Sequence, residues 1–344
     1  MKYTLIAHLY APSWKRTITG FVNYFVENAI SFKCIHEYEY YDYEKDGPFI
    51  YVTTAVTDWK YRKYLSDHGK GIFKLDIEGI YIVKTLEKEI YYKTPVVVNS
   101  EFEKREAELS GIKVAKVIPH ILPKSFQPNE RLGKYYREKF KDYVLWVSQL
   151  PPWDWKANER KGFPEFIEAM RMVLERYPKL KVIIITSYEK DELANILWRE
   201  SKVKMIDKAY VIKIGIPTSE LIGLYSGARL FVCSSRCEGF GFPVLEAMRC
   251  RCPVVYINGH AVKEFAVGFP VPVEYDTYVR FSTCYGPIKF HMFFYDPKDL
   301  AEMIIYALTE KKEVIEDIVE EAYEKSMEFI EDRLVPLHLE LIPQ

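Results

Sequence analysis

Between Glu238 and Glu246 the chain reads EGFGFPVLE, which sets two carboxylates around a turn containing Gly239 and Gly241. The turn follows RLFVCSS, an apolar run of strand type, and Pro243 suits a first helical turn because it lacks the N–H that would go unpaired there. Glycines let the backbone turn sharply and approach a ligand closely. The N–H groups at such a helix start, with the helix dipole behind them, suit an anion such as phosphate. Glu246, one turn into the helix, can point back toward a hydroxyl beside that phosphate, while Glu238 projects from the loop. Carboxylates accept hydrogen bonds from hydroxyls and repel a bare phosphate. The pattern therefore fits a ligand that is part phosphate and part polyhydroxyl, as a nucleotide sugar is. Taken singly, the same residues also fit an ordinary strand–turn–helix junction whose acids sit near the helix start for the dipole alone.

Such a turn needs a sheet to carry it. The second half of the chain alternates YVLWVSQL, PEFIEAMRMVLERY, KVIIITS, DELANILWRES, YVIKIG, SELIGLYSGA, RLFVCSS, PVLEAMRC and PVVYIN. Strands alternating with helices predict a parallel, doubly wound sheet with ligands at the carboxyl ends of its strands. The first half is also α/β: a strand TLIAHLY, a loop through Pro12, Ser13 and Trp14, and a helix GFVNYFVENAI starting at Gly20. FKCIHEYEY, FIYVTTAV, GIYIV, TPVVVNS and AKVIPHIL read as strands, and SEFEKREAELSGI as a helix capped by Ser100 and Glu103 and stopped by Gly111. From Pro119 to Lys141 the chain turns polar and basic, which places the boundary there. The expected domains are 1–142 and 143–319, with a C-terminal helix 320–344 packing back on the first.

Composition bounds the rest. With 344 residues, 49% apolar, 15% aromatic and 28% charged, there is material for two buried cores. Forty-eight Lys and Arg balance forty-nine Asp and Glu, so the chain lacks the basic excess of a general nucleic-acid binder. It contains no apolar stretch of spanning length and no apolar start of signal-peptide length, which leads to the expectation of a cytoplasmic protein. Cys233, Cys237, Cys250 and Cys252 miss the usual metal-ligand spacing and read as core residues. No D-x-D triplet occurs, so no metal is expected. Three glutamines beside 27 tyrosines lean toward a thermophilic source. The run RLGKYYREKFKDY reads either as a solvated helix at the domain junction or as a peripheral contact with an anionic inner-membrane surface.

Taken whole, ARLFVCSSRCEGFGFPVLEAMRCRCPVVYINGHAVKE resembles the donor-binding signature of the retaining GT-B glycosyltransferases of the glycosyltransferase 4 family, marked by E-x7-E. VVVNSEFEKREAELSGI with VIPHIL, VLWVSQL with ERKGFPEFIEA, IKIGIPTSELIGLYSGA and YDPKDLAEMI resemble further family motifs in the same order, over about residues 95–310. The resemblance implies two Rossmann-like domains facing a central cleft. It also implies transfer of a sugar from a nucleoside diphosphate sugar to a hydroxyl acceptor (glycan, lipid-linked or protein), with retention and without a metal. By the same resemblance Glu238 would contact the transferred sugar, Glu246 the ribose, and Lys161 with Arg160 the diphosphate. Backbone around Gly239, Phe240, Gly241, Phe242 and Val244 would meet the phosphates, and Gly20 would leave room for the donor.

The chain departs from the family at three points. Ser148 and Gln149 stand where Gly-Arg is usual, Arg251 replaces a small residue, and the N-terminal domain is shorter than usual. The family's N-domain catalytic histidine has no recognisable motif; His68 in SDHGKG reads as a surface or candidate loop histidine, and His120 in VIPHIL lies near the hinge without an assigned role. Two alternatives stay open: a catalytically degenerate nucleotide- or glycan-binding protein of the same shape, and an epimerase acting on the nucleotide sugar.

Overall fold

The computed structural model describes residues 2–7, 12–36, 47–54, 59–81, 85–150, 159–283 and 286–342. The ends of TLIAHLY, FKCIHEYEY and FIYVTTAV lie outside them. Strands β1 (Tyr3–Ala7), β2 (Phe32–His36), β3 (Phe49–Thr54), β4 (Gly71–Asp76), β6 (Val96–Val98) and β7 (Lys116–Val117) form one sheet in the order β2-β1-β3-β4-β6-β7. Every neighbouring pair is parallel. Phe49–Thr53 and Gly71–Leu75 are buried without alternation, as strands covered on both faces must be.

Helices α1 (Pro12–Glu27), α2 (Trp59–His68), α3 (Thr85–Lys93) and α4 (Glu101–Leu109) accompany this sheet. Helix α4 starts as its residues predict, with the Ser100 hydroxyl accepting the Glu103 N–H at 3.0 Å. Helix α1 starts earlier than expected. Pro12 opens it, so Trp14 and the stretch to Arg16 are helical and Gly20 falls in its middle, because proline is favoured at a first turn. A Cβ on Gly20 would lie 2.2 Å from Ile121 Cγ2, so the glycine admits that side chain. His68 closes α2 instead of standing in a loop; its Nδ1–H donates to the Tyr64 carbonyl at 2.9 Å and its ring stacks on Tyr64.

The second sheet has the order β10-β9-β8-β11-β12-β13. It comprises β8 (Tyr143–Val147), β9 (Lys181–Thr186), β10 (Tyr210–Lys213), β11 (Leu230–Cys233), β12 (Val254–Ile257) and β13 (Phe269–Val271), again all parallel. Its helices are α5 (Glu130–Phe140), α6 (Phe163–Arg176), α7 (Lys190–Ser201), α8 (Thr218–Gly227), α9 (Phe242–Arg249), α10 (Pro297–Thr309) and α11 (Lys312–Ser326). The core gathers Val144, Trp146, Phe166, Ile184, Val232 and Val255 with the inner face of α6 and α10. Helix α5 approaches α8 through glycine: a Cβ on Gly133 would lie 2.9 Å from the Ser226 carbonyl oxygen. Its other face leaves Arg131, Lys134 and Tyr135 in solvent.

A short third sheet was not foreseen. Strands β14 (Tyr275–Thr283) and β15 (Gly286–Phe294) lie side by side, and β15 pairs antiparallel with β5 (Gly79–Tyr81). The chain divides into two compact units, one of residues 1–125, 278–291 and 328–344, the other of residues 126–277 and 292–327. Helix α5, on the N-terminal side of the expected 142/143 junction, lies in the second unit. In the first, α12 (Glu331–Leu339) returns to α1, with the His338 ring edge-on to Phe21 at 5.0 Å. No described helix is long and apolar enough to cross a membrane.

Candidate functional site

The site grows from the carboxyl end of β11. Ser234, the first residue beyond the strand, accepts Trp146 Nε1–H at 2.9 Å and donates to the Lys161 carbonyl at 3.0 Å. That contact brings the 3-10 turn Glu159–Lys161 against the Ser234–Gly241 turn. Arg236 and Cys237 N–H groups both donate to the Arg160 carbonyl, at 2.7 and 3.3 Å, and Arg160 Nη1 donates back to the Cys237 carbonyl at 3.4 Å. Gly162, in left-handed conformation at φ 60°, makes the approach feasible: a Cβ there would sit 2.0 Å from the Ser234 carbonyl oxygen.

This stitching fixes the chemistry. Lys161 Nζ lies 2.5 Å from Glu238 Oε1, and Ser235 Oγ–H donates to the same oxygen at 2.7 Å. Both charged side chains are 12% exposed, so their pairing is little screened by solvent. Burial alone would raise the Glu238 carboxyl, but Lys161, Arg160 and the hydrogen bonds from Lys161 and Ser235 prevail and hold it at about 2. Glu238 is therefore an anion at any physiological pH.

His260, which the sequence reading passed over, braces this turn from behind. Its Nε2–H donates to the Ser235 carbonyl at 2.8 Å, and its Nδ1 accepts the Val262 N–H at 3.4 Å. Those partners fix a neutral tautomer, and burial pushes the imidazole down to about 4 against the opposing pull of Glu238.

Beyond Glu238, Gly241 at φ 96° caps α9 and Pro243 occupies its first turn. The Val244 N–H donates to the Gly241 carbonyl at 3.0 Å, so this amide is engaged in the turn itself. Phe240 packs edge-on to Phe242 and stacks on Phe265 at 5.0 Å. Glu246 is buried one turn into α9, where Tyr225 of α8 donates to Oε2 at 3.1 Å.

Glu238, Lys161, Arg160, Gly239, Phe240, Gly241, Phe242, Val244 and Glu246 thus belong to one turn–helix region of the second unit, and Gly20 belongs to the first unit. Ser235, His260 and Tyr225 were missed. Only Ser235 carries a local signal, standing three residues before Glu238; the other two are brought in by α8 and by the loop after β12. Arg251 points elsewhere: its guanidinium forks onto Glu320 of α11 at 2.8 and 2.9 Å and covers Tyr323. Cys233, Cys250 and Cys252 are buried with raised thiols. Among the described residues no group of three or more His, Cys, Asp or Glu could hold a metal ion.

Residues 156–325 match the family described as glycosyl transferases group 1. These residues form a group 1 glycosyl transferase domain. The chain is 34% identical over 194 residues to a protein of Sulfolobus islandicus filamentous virus provisionally named glycosyltransferase 48, covering 55% of this chain and 53% of the relative. It is 31% identical over 137 residues to O-antigen chain mannosyltransferase B of Escherichia coli, 38% of this chain and 32% of that one. It thus spans about half the length, or less, of these curated relatives. The Sulfolobus virus relative fits the thermophilic lean of the composition.

Among solved structures, HepE of Anabaena, in complex with UDP and glucose, shares 13% identity with a TM-score of 0.67 over 99% of this chain and 98% of its own. The structure of trehalose-6-phosphate from Escherichia coli bound with UDP-2-fluoro glucose shares 11% identity with a TM-score of 0.69 over 99% of each chain. That likeness establishes the GT-B fold with two Rossmann-like domains.

Proposed function

We propose that the chain transfers a sugar from a nucleoside diphosphate sugar to a hydroxyl acceptor, with retention of configuration and without a metal ion. The observation that carries this reading is the Lys161–Glu238–Ser235 constellation beside the start of α9, with Glu246 one turn farther on. Lys161 has three N–H donors. One meets Glu238, which leaves capacity for diphosphate oxygens. Arg160 supplies a second cation, and the amides around Gly239, Phe240, Gly241 and Phe242 add dipoles; Val244 would join them by exchanging its bond to Gly241. As the anomeric carbon–oxygen bond breaks, its electron pair leaves with the nucleoside diphosphate, whose charge these groups are placed to stabilise. The acceptor oxygen forms the new bond, and its proton passes to the leaving phosphate. Glu238 faces the positive charge developing on the sugar, and Glu246 accepts ribose hydroxyls. Gly20 enters only through the resemblance; its observed neighbour is Ile121.

In this reading Lys161 and Arg160 take the charge-neutralising part that a divalent cation plays elsewhere. The relatives' names and the UDP-bound neighbours support the donor class. The solvent face of α5 supports peripheral contact with an anionic surface. Release of nucleoside diphosphate from labelled UDP-, GDP- and ADP-sugars tests the proposal. Turnover should survive EDTA and fall in Lys161→Ala. Chelation that abolished turnover, with rescue by Mg²⁺, would defeat the metal-free mechanism, and binding of donor without any release would favour the degenerate binding protein.

A further inference from the structure

The second unit carries two charged surfaces that the transferase chemistry does not use. The first is a concavity of about 610 Å³ beside β10, whose walls include Lys139, Lys181, Lys190 and Lys208 with Asp207 and Tyr210. Strand β10 is an edge of its sheet, so no further strand closes this side. Lysines that block unwanted pairing stand on the edge strand itself, as Lys213 does. The four lining the concavity come instead from α5, β9, α7 and the loop before β10. Lys190 Nζ donates to the Asp207 carbonyl at 2.5 Å and Lys139 lies over the Phe140 ring, but among the described residues none of the four pairs with a carboxylate. Four ammonium groups around one carboxylate repel one another, and a matching negative surface would remove that repulsion. Tyr210, 45% exposed, adds an apolar contact at the rim.

Such a surface is present on the same chain. Along α11, Glu313, Asp317, Glu321 and Glu324 are exposed, and their spacing of four, four and three residues sets them on one face. Glu316 and Glu320 meet Lys312 and Arg251, whereas these four have no ion-pair partner among the described residues. Like charges four residues apart weaken a helix, so the stripe does not serve α11 itself. Val314, 39% exposed, lies beside it. The two surfaces cannot neutralise each other within one molecule. Helix α5 packs on α8 through Gly133, Tyr225 of α8 reaches Glu246 of α9, and Arg249 of α9 donates to Ser326 of α11 at 2.9 Å. Helices α8 and α9 thus stand between Lys139 and the acidic stripe. At roughly 8–10 Å for each packed pair, that separation exceeds the screening length of about 8 Å at physiological salt.

We infer that the lysine concavity of one copy of this chain receives the acidic face of α11 of another. Because the two faces differ, each copy in a pair keeps one of them free, and the association extends head to tail. The contact is made of surface charges, which makes it weak and strongly salt-dependent. Lys181 opens β9 at the amino end of the sheet, whereas the Ser234–Gly241 turn follows the carboxyl end of β11, so docking at the concavity leaves that turn uncovered.

Sedimentation velocity of the full chain at about 50 mM and about 500 mM NaCl tests the interface. At low salt the mean mass should rise with protein concentration above that of one chain, and at high salt it should return to it. Lys139→Gln with Lys208→Gln, and separately Asp317→Asn with Glu321→Gln, should each weaken self-association roughly tenfold or more with the melting temperature unchanged. An equimolar mixture of the two double variants retains one intact concavity and one intact α11 face, and should form pairs that grow no further. A wild type that stays monomeric at low salt, a variant of either face that associates as the wild type does, or a mixture that stays monomeric overturns the interface. So does a monomer that binds phosphatidylglycerol vesicles through Lys139 and Lys208, which would assign the concavity to a lipid surface.

Discussion

At the residue scale, Glu238 bears two relationships that separate its roles. It neutralises Lys161 in the folded protein, and in the proposed reaction it faces a sugar acquiring positive charge. Glu238→Gln keeps size and removes charge, so nucleotide affinity should persist while turnover falls about 100-fold, a typical loss for one electrostatic group. Near-normal turnover would reduce Glu238 to a turn residue. His260 makes a different prediction. Its folded value, about 4, lies below the ordinary 6.5, so the unfolded chain binds more protons between those pH values. Stability from this group is therefore complete above about pH 6.5 and lost as pH falls toward 4, by up to roughly 3 kcal/mol. Urea titrations at pH 7 and pH 4.5 should show a smaller difference for His260→Gln than for wild type. Glu238 and Glu246 were legible because their turn carries a local grammar of glycine, proline and spacing. His260 and Tyr225 carry none, since each reaches the turn from an element distant in sequence.

At the element scale, the decisive piece is the close approach of the Glu159–Lys161 turn to the Ser234–Gly241 turn. Gly162→Ala would press a methyl group against the Ser234 carbonyl at an unfavourable φ. It should cost about 1–3 kcal/mol and also displace Lys161. A lowered melting temperature together with weaker nucleoside diphosphate binding would show both; a fall in melting temperature alone would separate the turn from the site. The alternating strands and helices of both sheets could be read from periodicity because buried parallel strands are continuous apolar runs. The β14–β15 pair could not, since YDTYVRFST and GPIKFHMFF mix aromatic, charged and small residues, and the partner of β15 on its other edge, β5, lies far back in the sequence. The early start of α1 was hidden because PSWKR resembles a loop to any reading that waits for apolar spacing.

For the molecule as a whole, the first unit is assembled from three separate stretches of chain and the second from two. Residues after Met327 serve the first unit: Leu122 N–H donates to the Phe329 carbonyl at 2.9 Å, and Glu331 accepts the Lys124 N–H at 2.7 Å and Asn23 Nδ2–H at 3.3 Å. Truncation after Met327 should therefore loosen α1 while sparing the second unit. Hydrogen exchange should rise in residues 12–27 and stay unchanged in residues 163–176; equal loss in both would contradict this division. The same arrangement sets an order of events during synthesis. A ribosome delivers every residue of the second unit before it delivers α12, so that unit can fold while the α1 face that α12 covers still waits, open to chaperones or to unwanted association.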